Sequence, residues 1–262
     1  MSANYTHYRF GRIMLEAMPR EIAQLVEKNR QLYDLGLHGP DIFLYTPWVR
    51  RDKRRLGKIF HKQSGQEFFG RACENIRRQD DELLEAAQAY LYGFLCHYAL
   101  DSVFHPYICA HSTTGGEHWN MEMELDRHLL ILDGNPQPQI VDFSGHIRVS
   151  RKDCRVLKLF FPGTSTVVLR HCTWVMHTCQ HMLSYPEGKR KQLVEWFLHK
   201  CGPTPESVIM RREPNPTCHH LLPMFMDFYR TAEENYQKFL PQLREHLLQN
   251  VPLGPDFIPD FG

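Results

Sequence analysis

The stretch from Ala89 to Tyr107, AYLYGFLCHYALDSVFHPY, constrains the fold more than any other part of the chain. His97, Asp101 and His105 are four residues apart, so on a helix they form one slowly drifting stripe. Leu95, Cys96, Tyr98, Leu100, Val103 and Phe104 surround them, which predicts a helix buried on most of its circumference. Two imidazoles and a carboxylate in such a setting are costly unless something satisfies them. A metal ion does so, since neutral imidazole and carboxylate are both zinc ligands. One histidine alone would read as a hydrogen-bonded core residue; three polar groups in register favour a metal. Pro106 lacks an N–H and biases His105 away from helical geometry, so the helix is expected to end or kink there.

The rest of the composition sets looser bounds. A chain of 262 residues can bury a sizeable core, as one large domain or a domain with an appendage. Its 31 Lys and Arg balance 30 Asp and Glu, which argues against general nucleic-acid binding through net charge, and no stable nucleic-acid partner is expected. The first ten residues, MSANYTHYRF, carry no basic-then-apolar signal pattern. No uncharged apolar run approaches the ~18 residues that cross a bilayer. The eight cysteines form no Cys-x-x-Cys pair and lie mostly in apolar helical contexts, as at Cys96, Cys172 and Cys179. They read as reduced core thiols of a cytoplasmic protein.

Helical periodicity dominates in chain order. A short helix is expected over 5–18, and an amphipathic one from Pro19 to about Asp34 through Ile22, Leu25, Val26 and Leu32. Gly36, Gly39 and Pro40 then break the chain into a loop that holds Asp41 in place, either as a helix N-cap or for chemistry. Residues 50–58, RRDKRRLGK, are the strongest charge run, ordinarily a solvated face and otherwise a surface attractive to anionic lipid headgroups. His61 follows as a helix-start histidine, with a helix from Ser64 to about Arg78. Asp80, Asp81 and Glu82 open the central helix. His118 and Glu122 are again four apart, Asp126 lies one turn on, and Asp133-Gly134 ends their helix.

Residues 135–149 read as irregular, and further helices are expected over 151–161, 165–183, 187–200 and 219–251, the last interrupted at Pro241. His171, His177, His181, His199, His219 and His220 lack a matching carboxylate stripe and are read as structural or surface residues. No strand pairs with hairpin turns occur, so the expected class is all-α, a multi-helix bundle with a multinuclear metal site between helices and loops. Residues 1–135 would form the helical domain and 150–262 additional C-terminal helices packed on it.

The spacings exclude several familiar chemistries. There is no His-Glu-x-x-His, no Gly-x-x-x-x-Gly-Lys loop, no Gly-x-Ser-x-Gly elbow and no adjacent His-Asp pair. What is present is Thr6-His7 with Phe10-Gly11; Gly36-Leu-x-Gly-Pro-Asp41-Ile-Phe; Phe60-His61-Lys with Phe68-Phe69; Tyr92-Gly93-Phe leading to His97, Asp101 and His105-Pro106; and His118-x-x-x-Glu122. In this order the five segments resemble the bacterial zinc-dependent phospholipase C family, from Thr6 to about Asp133. The resemblance implies a helical domain holding up to three zinc ions. It assigns Asp41, His61, His97 and Asp101 to one site and His105, His118 and Glu122 to a second. His7 with a bridging Asp101 belongs to a third.

The secreted members also hold their third zinc with the amino group exposed by leader cleavage. This sequence shows no leader pattern, and the six residues before His7 span up to ~20 Å when extended. Two zinc ions are therefore expected, with the third site left open. Three carboxylates, Asp41, Asp101 and Glu122, against two zinc ions leave a net positive pocket suited to a phosphodiester anion. The implied chemistry is attack by metal-bound hydroxide on a phosphodiester, a phospholipid or a related compound, with Asp41 as the catalytic, water-orienting base and peripheral membrane contact through the basic run. A nuclease or nucleotidase-like zinc phosphohydrolase and a non-catalytic zinc-stabilised scaffold are the alternatives.

Overall fold

Helix α6 (Asp81–His111) is the axis on which the other elements pack. Its side chains are buried on every face from Ala89 to Leu100, which explains why the sequence there has no polar stripe apart from the histidines and Asp101. The computed structural model describes residues 4–44, 51–186, 188–201 and 207–261, with only the backbone described at 51–55 and 201.

Around α6 lie α1 (Asn4–Ala17), α2 (Arg20–Lys28), α3 (Arg30–Gly36), α5 (Gly65–Arg77), α7 (Gly115–Leu132) and α8 (Asp153–Phe160). The long C-terminal helix Leu222–Gln249, here α11, packs along α6 as well. Helix α4 (Arg51–His61) sits on a 3-10 turn, Gly39–Phe43, and α9 (Thr166–Leu183) packs on α8 and on that turn, with α10 (Lys189–Cys201) against α9. The only β contact among the described residues is an isolated bridge between Ser64 and Asp260. The all-α class therefore holds. Helices from both sides of residues 135–149 share one hydrophobic core.

Local chemistry sets the helix starts. Ser64, Asp80 and Ser165 each accept the third backbone N–H of the following helix, and Thr114 with Glu117 forms a reciprocal capping box on α7. The start of α1 is capped from a distance. Asp126 on α7 accepts from the Tyr5 and Thr6 amides and from the Thr6 hydroxyl, at 2.7–3.0 Å.

Three expectations need correction, and a fourth falls mostly outside the described residues. The helix carrying the stripe does not end at Pro106 but runs on to His111, and α11 likewise continues through Pro241. A proline inside a helix costs ~3 kcal/mol, and buried neighbours on both sides (Phe104 and Ile108, Leu240 and Leu243) outweigh it. The helix expected from Pro19 to Asp34 is instead two, because Asn29 leaves helical geometry and its amide side chain bonds back to the Leu25 carbonyl. His61 ends a helix rather than starting one. The basic run from Arg50 lies mostly outside the described residues: Arg50 itself, and the side chains of 51–55.

The Gly36 and Gly93 pair has a steric cause. Helices α3 and α6 touch there backbone to backbone, and a Cβ at Gly93 would lie 2.1 Å from the Tyr33 carbonyl oxygen, one at Gly36 2.4 Å from that of Tyr90. Gly93→Ala is expected to destabilise the fold by about 3 kcal/mol, the upper end for overpacking, since backbone cannot give way. Gly70→Ala on α5, where a Cβ meets nothing within 4 Å, is the control and should be neutral or gain up to ~1 kcal/mol from helix propensity. Paired urea denaturation curves measure both.

Candidate metal centre

The packing of α3 on α6 delivers the loop that follows α3 onto the stripe. Gly39 adopts φ +47°, and a Cβ there would sit 2.3 Å from the His97 ring, so only glycine lets this turn close over the histidine. The turn places Asp41 Oδ1 3.1 Å from His61 Nε2 at the end of α4. From α1, His7 Nε2 reaches Asp101 Oδ1 at 3.2 Å, and the His7 ring stacks on His97. On α6, His97 Nε2 lies 3.0 Å from Asp101 Oδ2, with His61 Nε2 3.8 Å from the same oxygen. One turn further, Glu122 Oε1 stands 3.5 Å from His105 Nε2 and 3.0 Å from His118 Nε2.

The structure thus gathers all eight residues singled out in the sequence, from five elements. Three groups offer ligand atoms mutually within 4.8 Å: His7, His97 and Asp101; Asp41, His61 and His97; His105, His118 and Glu122. The first two share His97, and Asp101 turns one oxygen to His7 and the other to His97 and His61. All but the half-buried His118 are nearly inaccessible to solvent.

Whether these residues suit a metal is decided by their unused valences. His61 Nε2, His97 Nε2 and Asp101 Oδ2 are buried and face one another across 3.0–3.8 Å, yet none makes a hydrogen bond. Buried nitrogen lone pairs and carboxylate oxygens converging without hydrogens between them are a donor set for zinc. The outer nitrogens are fixed as a metal site requires. His61 Nδ1 pairs with the Gly57 carbonyl at 2.7 Å and His105 Nδ1 with the Phe261 carbonyl at 2.8 Å, so both donate there and leave Nε2 free to ligate.

The electrostatics follow the same geometry. Burial alone would raise the Asp41 carboxyl, but the His61 imidazole 3.1 Å away holds it well below the usual range. For Asp101, burial is likewise outweighed, here by the imidazoles of His105, His97 and His7 around it. His105 is raised because Asp101 and Glu122 offset the effect of burial. The carboxylates are therefore ionised in the core, the state in which they bind cations.

Asp126 stands outside the ligand groups. It caps α1 and thereby aims His7, and burial pushes its carboxyl up to about 6 despite those bonds. Sequence spacing shows Asp126 on the His118–Glu122 stripe but gives no sign of this role. Nor could it reveal the Gly57 and Phe261 carbonyls, which have no side-chain signature. His38, fully buried with Nε2 2.6 Å from His146 Nε2, also went unread; burial holds both neutral. Its only sequence signal is its place in the Gly36–Asp41 loop. Of the later histidines, His219 pairs with Glu124 and His181 with Asp142, both at 2.7 Å, and neither joins a ligand group among the described residues.

Fold and site together define an all-helical protein with a buried histidine–carboxylate cluster able to hold more than one metal ion. The chain belongs to the zinc-dependent phospholipase C family, whose sequence profile matches residues 6–193. The match runs past Asp133, through α8 and α9 and into α10, so it covers more of the chain than the five segments did. No curated protein and no solved structure matches the chain.

Metal removal should cost stability, because it leaves Asp41, Asp101 and Glu122 buried without their counter-charge. Zinc-replete protein is expected to carry at least two equivalents by elemental analysis. A strong chelator should lower its thermal midpoint by roughly 8 °C or more, since ligand at a thousand times its dissociation constant stabilises by about 4 kcal/mol and each kcal/mol moves a chain of this size by about 2–4 °C.

Proposed function

We propose that the protein is a zinc-dependent phosphoric diester hydrolase acting on a phospholipid or a chemically related diester. The observation that carries this reading is the shared donor set: Asp101 between His7, His61 and His97, in a chain of the phospholipase C family. Two zinc ions fit it, one with Asp41, His61, His97 and Asp101 and one with His105, His118 and Glu122. His7 completes a third group that competes with the first for His97. Zinc in such a site supplies a Lewis acid toward phosphoryl oxygen and lowers the pKa of a water toward ~7.

The chain's own residues divide the remaining work. Asp41 is fully buried, so it enters the cluster from within rather than at its edge. Kept ionised by His61, it accepts a hydrogen bond from the attacking water and fixes its direction. Asp101, Glu122, His7 and His105 border a water-sized cavity of about 20 Å³ together with Phe104, Ile108, Met121, Leu125 and Phe225. Those apolar side chains keep bulk water from the reacting atoms. The free and mostly buried cysteines among the described residues support a reducing, cytoplasmic setting.

Peripheral membrane contact belongs to the same reading. Trp174 on α9 and Leu193, Trp196 and Phe197 on α10 are exposed, and Lys189, Arg190 and Lys200 flank them. Tryptophans beside basic residues suit an anionic lipid interface. Among the described residues no helix is long and apolar enough to cross a membrane.

Hydrolysis of lipid, nucleotide and chromogenic phosphodiesters by the zinc-loaded protein tests the reading. Asp41→Asn should lower the rate by at least ~10²-fold, the low end for loss of a general base, while zinc stays in the His105, His118 and Glu122 group. A parent inactive on every diester with zinc fully loaded would leave a metal-stabilised scaffold. Co-sedimentation with phosphatidylserine vesicles tests the surface separately: Trp174→Ser with Trp196→Ser should weaken binding at least tenfold. Replacing Arg50, Arg51, Arg54 and Arg55 with Ser measures the share of the basic run, at ~1 kcal/mol per residue near the surface.

A further inference from the structure

We infer that the C-terminal strap, residues 254–261, is the positioning device of the metal centre and fixes His105 as an Nε2 ligand. The inference rests on the zinc-centre reading above, and the strap lies wholly beyond the part of the chain that the family profile matches.

After α11 the chain reverses at Asn250, which takes left-handed geometry, and returns over the ends of α4 and α5. Gln66 donates to the Leu253 and Gly254 carbonyls, and Gln242 to Asp256 Oδ2. The Tyr98 hydroxyl and the Gly65 amide are satisfied by the Pro259 carbonyl, at 3.1 and 2.9 Å. These contacts lay the last described residue, Phe261, into the core with no exposed surface.

Phe261 then meets three of the ligand histidines in three different ways. Its amide donates to the His61 carbonyl at 2.9 Å, which ties down the end of α4. Its ring lies against His97, 6.2 Å between centroids, as well as against Phe94 and Tyr98. Its carbonyl accepts from His105 Nδ1 at 2.8 Å, while the competing acceptor, Asp101 Oδ2, is 3.7 Å from that nitrogen. The shorter contact decides the tautomer. With Nδ1 protonated toward Phe261, the lone pair of Nε2 points to Glu122 and His118. A carbonyl in this position orients the ring and raises its basicity, and losing such a partner weakens metal binding by about 10–100-fold.

The test compares the parent, a chain ending at Asp260, and full-length Phe261→Leu, which keeps the carbonyl and an apolar side chain. Zinc affinity is read by competition with a chromophoric chelator, and thermal midpoints are taken with and without zinc. The shortened chain should bind zinc at least tenfold more weakly and lose most of the midpoint shift that zinc gives the parent. Phe261→Leu should stay within about threefold of the parent's affinity, far less than the ~10–100-fold loss of such a partner. Nitrogen-proton correlation NMR of the parent should show His105 protonated at Nδ1 with and without zinc, and unprotonated at Nε2 with zinc bound. Parental zinc affinity in the shortened chain overturns the inference, as does a midpoint loss equal with and without zinc. If the shortened chain fails to fold, the NMR decides: Nδ1 unprotonated in the parent, or Nε2 protonated in the zinc-loaded parent, overturns the inference. Failure of the parent itself to bind zinc would instead strike the zinc-centre reading, while the His105 Nδ1 proton without zinc still tests the strap.

Discussion

The structure depends on one carboxylate, Asp101, ionised in the middle of a buried helix. Removing an isolated carboxylate from water costs several kcal/mol even after relaxation, so Asp101 is tolerable only because four imidazoles converge on it. His97 and His105 come from the same helix, His7 from α1 and His61 from α4. Each of those elements has its own reason to be there: Asp126 caps α1, and the Phe261 amide ties off α4. The polar centre and the apolar core are thus one construction, since the helices that bury α6 also bring the ligands to it.

Close backbone approach is the second requirement. The Gly36–Gly93 contact sets the depth at which α3 meets α6, and that depth determines where the following turn lands. Gly39 then lets the turn press on the His97 ring and directs Asp41 at His61. Glycines that supply no ligand themselves therefore set the reach of a carboxylate that the proposed reaction uses.

Much of this was legible in the sequence because it is written in side chains at helical spacing. The stripe of His97, Asp101 and His105, the His118–Glu122 pair and the breaker-held Asp41 all carry their own signal, and the structure brings them together. The capped starts of α5, α6 and α9 at Ser64, Asp80 and Ser165 were readable for the same reason. What stayed hidden depends on tertiary context. Pro106 read as a helix end or kink and Pro241 as an interruption, yet packing on both sides carries the helices through them. Asn29 read as part of a helix, and its side chain instead bonds to the backbone and divides it. The outer hydrogen bonds of the centre use the Gly57 and Phe261 carbonyls, and every residue has a carbonyl, so no sequence pattern marks them.

Anomalous diffraction at the zinc absorption edge, from crystals grown with zinc, tests the central claim most directly. The account predicts at least two peaks, one among Asp41, His61, His97 and Asp101 and one among His105, His118 and Glu122, each ~2.0–2.2 Å from its nitrogen and oxygen ligands. A map with no peak in either group, or with zinc bound only at surface histidines such as His181, would contradict it.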